Sequence, residues 1–228
     1  MEAVELIRKR INWCESEGVG ILCCPEAILG GLAYATHPAR IALDVEDGKL
    51  GAAIAPLASD TVTTILGFTE VTGTGQLYNS AAVFHRGAVV GLYRKLYPAI
   101  RKSVYQAGDQ VPVFTIDGLT FGILICNDSN YPEPARIMAS RGATALFVPT
   151  DNGLPPEKAD VAAEALNADI ARAKENGAWV IRADVAGRAG GRVSYGASGI
   201  VDPGGKVLQS TQRLGEDLLV VDLGELQE

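Results

Sequence analysis

Three residues carry the chemistry open to this sequence: Glu26 in Cys24-Pro25-Glu26, Lys95 in Tyr93-Arg94-Lys95 and Cys126 in Ile125-Cys126-Asn127-Asp128. A thiol attacks as its thiolate, so it needs a base to take its proton. A cation stabilises the oxyanion that forms when the thiol adds to an amide-type carbon. A general acid then protonates the departing nitrogen. Glutamate, lysine and cysteine supply these roles without a histidine. Each also has a plainer reading. Cys126 reads as a small buried hydrophobe, Glu26 as a solvated loop residue and Lys95 as a surface charge, with Arg94 an equal candidate for the cation.

The elements that must position these residues are legible as strand-like runs that stop abruptly. Phe121 to Ile125 is a continuous apolar run that ends at Cys126, and a helix signal begins at Pro132. A strand ending this way delivers a side chain to the edge of a sheet, in a tight strand-to-helix connection where backbone N–H groups can face an oxyanion. Val19 to Cys24 ends at Pro25-Glu26 in the same manner, and Ala88 to Tyr93 ends at Arg94-Lys95.

Around these runs the pattern gives a helix to Val4–Cys14 and a weak helix to Lys49–Ser59. Strands fall at Thr61–Val71, at Tyr78–Phe84 and Ala88–Tyr93 around His85-Arg86-Gly87, and at Val113–Ile116 and Leu119–Ile125 around Asp117-Gly118. Pro132–Ser140 and Glu157–Asn176 read as helices; Ala143–Val148, Ala178–Val185, Ser198–Asp202, Lys206–Ser210 and Leu218–Asp222 read as strands. Hairpins mixed with helix-linked strands indicate an α/β chain with a mixed sheet or two sheets. No repeat or linker divides it, so one domain over 1–228 is expected.

Composition excludes several classes. The chain of 228 residues is 47% hydrophobic and 21% charged, enough for an ordinary core. Its net charge of -7 argues against a nucleic-acid surface, which requires basic clusters. No apolar run approaches the roughly 20 residues of a membrane span, and no leader is evident. Cys14, Cys23, Cys24 and Cys126 are expected as free thiols in a reducing cytoplasm. His37 and His85 lack metal-ligand spacing, so neither a metal nor a cofactor is expected. Adjacent Cys23 and Cys24 do not form a redox pair, and Gly196-Ala197-Ser198-Gly199 has the wrong spacing for a serine nucleophile elbow.

Read together, Cys24-Pro25-Glu26, Tyr93-Arg94-Lys95-Leu96-Tyr97-Pro98, Ile125-Cys126-Asn127-Asp128 with Tyr131-Pro132-Glu133, Arg172-Ala173-Lys174-Glu175-Asn176 and the stretch Gly196–Gly205 resemble the nitrilase superfamily of carbon–nitrogen hydrolases. The matches run in the family's order over nearly the whole chain. The resemblance implies a four-layer α-β-β-α sandwich and a homodimer or higher homo-oligomer. It also implies a small-molecule amidase in which Glu26 is general base and acid, Lys95 the oxyanion cation and Cys126 the nucleophile. The backbone N–H of Asn127 would be the second oxyanion donor. A nitrilase, a carbamoyl-amide hydrolase and a silent binding or assembly subunit of the same fold are the alternatives.

The sequence departs from the family's pattern in three places. The loop between lysine and cysteine lacks the usual second glutamate, and counting back from Gly108 puts Arg101 there. The chain starts at the family's first helix, without its opening strand, and stops soon after Leu218–Asp222. For the substrate, an amide or a nitrile, Tyr34, Tyr97, Tyr131, Asn152, Arg101 and Arg192 are candidate pocket residues. A guanidinium at Arg101 or Arg192 would suit a substrate carboxylate.

Overall fold

Parallel strands need a crossover, and this chain builds its crossovers from helices. In the computed structural model, residues 2–32, 37–99, 104–154, 161–189, 191–212 and 214–224 are described. The chain divides into two compact units, Met1–Gln110 and Val111–Glu228.

The first unit starts with α1 (Glu2–Glu17), whose buried Ile7, Ile11 and Cys14 repeat at helical spacing. Arg8 ties the helix to the chain below through the Ala58 carbonyl at 2.8 Å, and Ser59 donates to Glu15 at 2.7 Å. Then come β1 (Ile21–Cys23), α2 (Lys49–Ile54) and the strands β2 (Thr63–Val71), β3 (Leu77–His85) and β4 (Ala88–Arg94). The sheet order is β1-β2-β3-β4, with β1 parallel to β2 and the other pairs antiparallel. The hairpin at His85-Arg86-Gly87 has the predicted tight turn, with φ of 47° at Arg86 and 79° at Gly87, the left-handed pair that matches strand twist. His85 is not merely solvated: its Nδ1 lies 2.8 Å from the Thr63 hydroxyl.

The second unit contains β5 (Phe114–Ile116), β6 (Leu119–Ile123), α3 (Pro132–Ser140), β7 (Ala145–Thr150), α4 (Val161–Asn176) and β8 (Trp179–Asp184). A small hairpin of β9 (Ala186–Ala189) and β10 (Arg192–Tyr195) follows, then β11 (Gly199–Val201) and β12 (Val207–Ser210). The six-stranded sheet runs β12-β11-β8-β7-β6-β5. Its central β6, β7 and β8 are parallel, joined through α3 and α4, and all six residues of β7 are buried. Buried parallel strands account for their near-continuous apolar runs. Phe121 packs edge-on against Phe147 at 5.3 Å and tilted against Phe114 at 5.6 Å.

Two expectations change. Leu218–Asp222 forms no strand; a side-chain bond from Gln209 Nε2 to the Val220 carbonyl, at 2.6 Å, fastens it. The hairpin of β9 and β10 was not expected, because Ala186-Gly187-Arg188-Ala189 lacks the β-branched and aromatic residues that mark strands. Of the long helix expected over 157–176, the portion Val161–Asn176 lies within the described residues.

Candidate active site

Glu26 lies just past β1, on a turn that continues to run beside β2. Cys24 N–H donates to the Ile65 carbonyl at 3.0 Å and Leu29 N–H to the Gly67 carbonyl at 3.1 Å, so both sides of the turn are pinned to one strand. Gly67 lets the turn lie this close: a Cβ there would fall 2.5 Å from Ala27 N and 2.6 Å from the Pro25 carbonyl. The turn itself needs a left-handed residue, Ala27, with φ of 49°. Glu26 is thereby held inside the protein, 2% exposed.

Lys95, 69 residues further along and just past β4, reaches the same carboxylate, with Nζ 2.6 Å from Glu26 Oε1. Asn79 of β3 donates from Nδ2 to the same oxygen at 2.6 Å. The backbone holds Lys95 at both sides: its N–H donates to the Asn79 carbonyl, and its own carbonyl accepts from Gly108 N–H at 2.8 Å. Lys95 is 4% exposed, so this pair is buried. Burying two charges is tolerable only when each has close partners. The acceptor expected from the missing second glutamate is not a condition for this contact, because Glu26 itself accepts from the ammonium.

Arg94, the alternative cation, turns the other way, as strand alternation requires. It makes a fork on Glu70, at 2.9 Å from Nε and 2.5 Å from Nη2, and lies 4.2 Å over the Tyr78 ring. The bond to Glu70 raises the Arg94 pKa above its ordinary value. Ser80 donates to the same glutamate at 2.6 Å.

In the second unit, Cys126 begins a short 3-10 turn, Cys126–Asn130, immediately beyond Ile125. Its φ is 48°, a left-handed conformation that a non-glycine residue adopts at a cost of ~1–3 kcal/mol. The turn is locked from within. Asp128 Oδ2 accepts from Ile125 N–H at 3.1 Å, Asp128 N–H donates to the Ile125 carbonyl at 3.1 Å, and Ser129 Oγ donates to the Cys126 carbonyl at 3.0 Å. Asn127 sits inside the turn and accepts from Asn130 Nδ2 at 3.0 Å.

A buried network braces this turn. Arg182 of β8 donates to Asp169 of α4 at 2.6 and 2.5 Å, to Thr150 Oγ1 at 2.6 Å and to Ser129 Oγ at 2.9 Å. Burial disfavours the Arg182 charge, but Asp169 outweighs it and raises the pKa above its ordinary value. Arg172 adds a bond to the Ser129 carbonyl at 2.9 Å. None of these network residues was singled out from the sequence for a role at the site. Arg182 has one signal, a charge inside the strand run that starts Ala178-Trp179-Val180-Ile181, whereas Asp169 lies in a helix with many other charges and has none.

The structure brings Cys126 and Asn152 together, with Sγ 3.7 Å from Asn152 Oδ1. Asn152 is held in turn by Asp184, the last residue of β8, which accepts from Asn152 N–H at 3.1 Å and Nδ2 at 3.4 Å. Burial raises the Asp184 pKa, partly offset by backbone donors from Ala197 and Asn152. Arg192 bonds to the Gly153 carbonyl at 2.8 Å, beside Asn152. Tyr131 follows the Cys126 turn and is exposed. Tyr97 is half-buried in the first unit, whereas Tyr34 and Arg101 lie outside the described residues.

The other thiols are in a different environment. Burial pushes the Cys14 thiol up, Cys23 well up and Cys24 up to about 12. They stay protonated at neutral pH. Among the described residues, no three His, Cys, Asp or Glu side chains group as metal ligands, and no helix is long and apolar enough to cross a membrane.

The sequence model of the Carbon-nitrogen hydrolase family matches residues 2–226. An (R)-stereoselective amidase of Pseudomonas sp is 31% identical over 82% of this chain and 67% of its own length. A nitrilase of Pyrococcus abyssi (strain GE5 / Orsay) is 28% identical over 94% of this chain and 80% of its own. Among solved structures, a Glu-to-Gln mutant of the amidase from Nesterenkonia sp. AN1 is similar with a TM-score of 0.78 and 26% identity. The likeness covers 92% of this chain and 80% of that one, whose active-site cysteine carries the acetamide moiety of fluoroacetamide. The α/β fold, with mixed sheets and helices, is that of nitrilase-superfamily structures, and the chain belongs to the carbon–nitrogen hydrolase family.

Proposed function

We propose that this chain is a thiol-dependent amidase acting on a small, non-peptide amide, and that residues 1–228 form one carbon–nitrogen hydrolase domain. The observation that carries the reading is the buried contact of Lys95 Nζ with Glu26 Oε1 at 2.6 Å. A carboxylate and an ammonium withdrawn from water at strand ends are costly to keep, and such groups cluster where chemistry uses them. The single family match over 2–226 and the amidase relatives support the substrate class and the single domain.

In this mechanism Glu26 takes the proton from Cys126 Sγ, and the thiolate bonds to the amide carbon. The carbonyl electron pair moves onto oxygen, where the Lys95 ammonium and the Asn127 N–H stabilise it. The pair returns, the C–N bond breaks, and Glu26 passes its proton to the departing nitrogen. Ammonia or an amine leaves a thioester on Cys126. Water adds to the thioester as Glu26 takes its proton, and the C–S bond breaks to restore the thiol and release a carboxylic acid. The site works in a homodimer or higher homo-oligomer, as the family resemblance implies, and in the reducing cytoplasm that suits four free thiols. No metal or cofactor enters any step.

Ammonia release from a panel of short aliphatic and aromatic amides tests this. The wild-type chain is expected to hydrolyse at least one, and Cys126→Ala to lose on the order of 10³-fold or more in kcat/KM. A chain that releases no ammonia from any of them, or a Cys126→Ala variant that matches the wild type, overturns the proposal.

A further inference from the structure

We infer that Asp184 is a positioning residue that fixes the Asn152 amide with its carbonyl oxygen toward Cys126, and that this oxygen selects substrates with an N–H on the reacting carbon. The inference rests on Cys126 being the nucleophile. It concerns how the site tells an amide from an ester or a nitrile.

The orientation of the Asn152 amide follows from its neighbours. A carboxylate accepts hydrogen bonds and donates none. Asp184 Oδ1 accepts from Asn152 N–H at 3.1 Å, and Oδ2 accepts from Asn152 Nδ2 at 3.4 Å. Ala197 N–H fixes the carboxylate from the other side, donating to Oδ2 at 2.8 Å. Ser198 fixes its backbone: Asp184 N–H donates to Ser198 Oγ at 2.9 Å. Turning the Asn152 amide over would set its oxygen against the Asp184 carboxylate and lose a donor. The amide nitrogen therefore faces Asp184, and the oxygen faces Sγ of Cys126 at 3.7 Å.

Among the described residues, the charged and titratable groups around this arrangement include Arg182 and Asp184 on β8, Asp169 on α4, Asp151 beside Asn152, Arg192 on β10, bonded to the Gly153 carbonyl, and Asp128 in the Cys126 turn. Arg182 is committed to Asp169, and Asp151 accepts from Ser194 at 2.6 Å and Gly153 N–H at 3.0 Å. Both act on Asp184 by charge, Arg182 favouring its carboxylate and Asp151 opposing it.

An acceptor beside the nucleophile has two consequences. Before reaction it receives the thiol proton, which favours the S–H form over the thiolate. Once sulfur has bonded to carbon that proton is gone, and the oxygen needs another donor. An amide nitrogen on the reacting carbon brings one. An ester oxygen or an unreacted nitrile does not, and a site built for an N–H penalises an analogue lacking it.

The test compares kcat/KM for propanamide and methyl propanoate in the wild type, Asn152→Leu and Asp184→Asn. The amide-to-ester ratio is expected to fall at least 10-fold in Asn152→Leu and several-fold in Asp184→Asn. A parallel loss on both substrates, or an unchanged ratio, overturns the inference. A second measurement needs no substrate: the rate of Cys126 alkylation by iodoacetamide against pH. In Asp184→Asn the freed amide can turn an N–H toward the thiolate, so the profile is expected to move to lower pH; an unmoved profile counts against the inference. If neither probe is hydrolysed while the amide panel is, the alkylation profile decides. If the wild type hydrolyses nothing, the amidase reading fails and the profile still decides whether Asp184 sets the Asn152 amide.

Discussion

The two units each bury an ion pair, and the pairs are built differently. Glu26–Lys95 joins a carboxylate to an ammonium through one oxygen, which also accepts from Asn79. Asp169–Arg182 is a fork: two guanidinium nitrogens meet two carboxylate oxygens, and the remaining donors go to Thr150 and Ser129. The fork fixes geometry, because guanidinium is planar and keeps its charge. An ammonium is a compact charge on a flexible stem, free to follow a developing oxyanion. The contrast separates a pair suited to chemistry from one that braces the turn carrying Cys126.

Breaking each pair should give opposite signatures. Lys95→Arg keeps the charge but replaces the point charge with a fork, and amide kcat/KM is expected to fall by about 10²–10⁴-fold. Its urea midpoint should move less than that of Asp169→Ala. Asp169→Ala leaves Arg182 buried without its carboxylate and is expected to cost about 3–5 kcal/mol in urea unfolding. If Lys95→Arg unfolds the protein while Asp169→Ala only slows it, the assignment of the two pairs is reversed.

Two glycines sharpen the same comparison at lower cost. In Gly67→Ala the new methyl meets backbone at Ala27 and Pro25, which cannot step aside without moving Glu26. A loss of about 1–3 kcal/mol is expected, with amide turnover falling further than stability alone explains. In Gly122→Ala the methyl meets the Met138 side chain, whose flexible end can yield. The cost should be smaller, and turnover should follow stability. Equal turnover losses in the two variants would remove the claim that Gly67 serves Glu26.

The smallest effect concerns the thiols outside the site. Cys24 keeps its proton in the folded state up to about 12, against an ordinary 9.0. The unfolded chain loses that proton first, so stability is unaffected below about pH 8.5 and declines as pH rises toward 12. Urea midpoints measured from pH 8 to 11 should fall in the wild type and fall less in Cys24→Ala. A wild-type midpoint that rises over this range contradicts the sign.

The sequence shows the candidate site only where the signal is local. Glu26, Lys95 and Cys126 stand out because each follows the end of a strand-like run, and run ends can be read without knowing what packs beside them. The contact of Lys95 with Glu26 cannot be read this way, since it depends on the β1-β2-β3-β4 order of the sheet. Asn79 is invisible for the same reason: it sits inside a strand that reads as ordinary. Asp184 closes β8, a strand of alternating burial that the sequence reads on to Val185. Nothing local marks its end, because the residues that follow, Ala186-Gly187-Arg188-Ala189, have no strand-like composition. The Arg101 substitution for the family's second glutamate lies outside the described residues and stays a sequence expectation.

The most direct test of Cys126 as an activated nucleophile is iodoacetamide labelling of all four cysteines against pH, read by peptide mass spectrometry, in the wild type and in Glu26→Gln. Cys126 is expected to label fastest near neutral pH, with Cys14, Cys23 and Cys24 held back by their raised pKa values, and the Glu26 change is expected to alter the Cys126 profile alone. A Cys126 that labels no faster than the buried thiols in the folded protein, or whose profile is indifferent to Glu26, would contradict it.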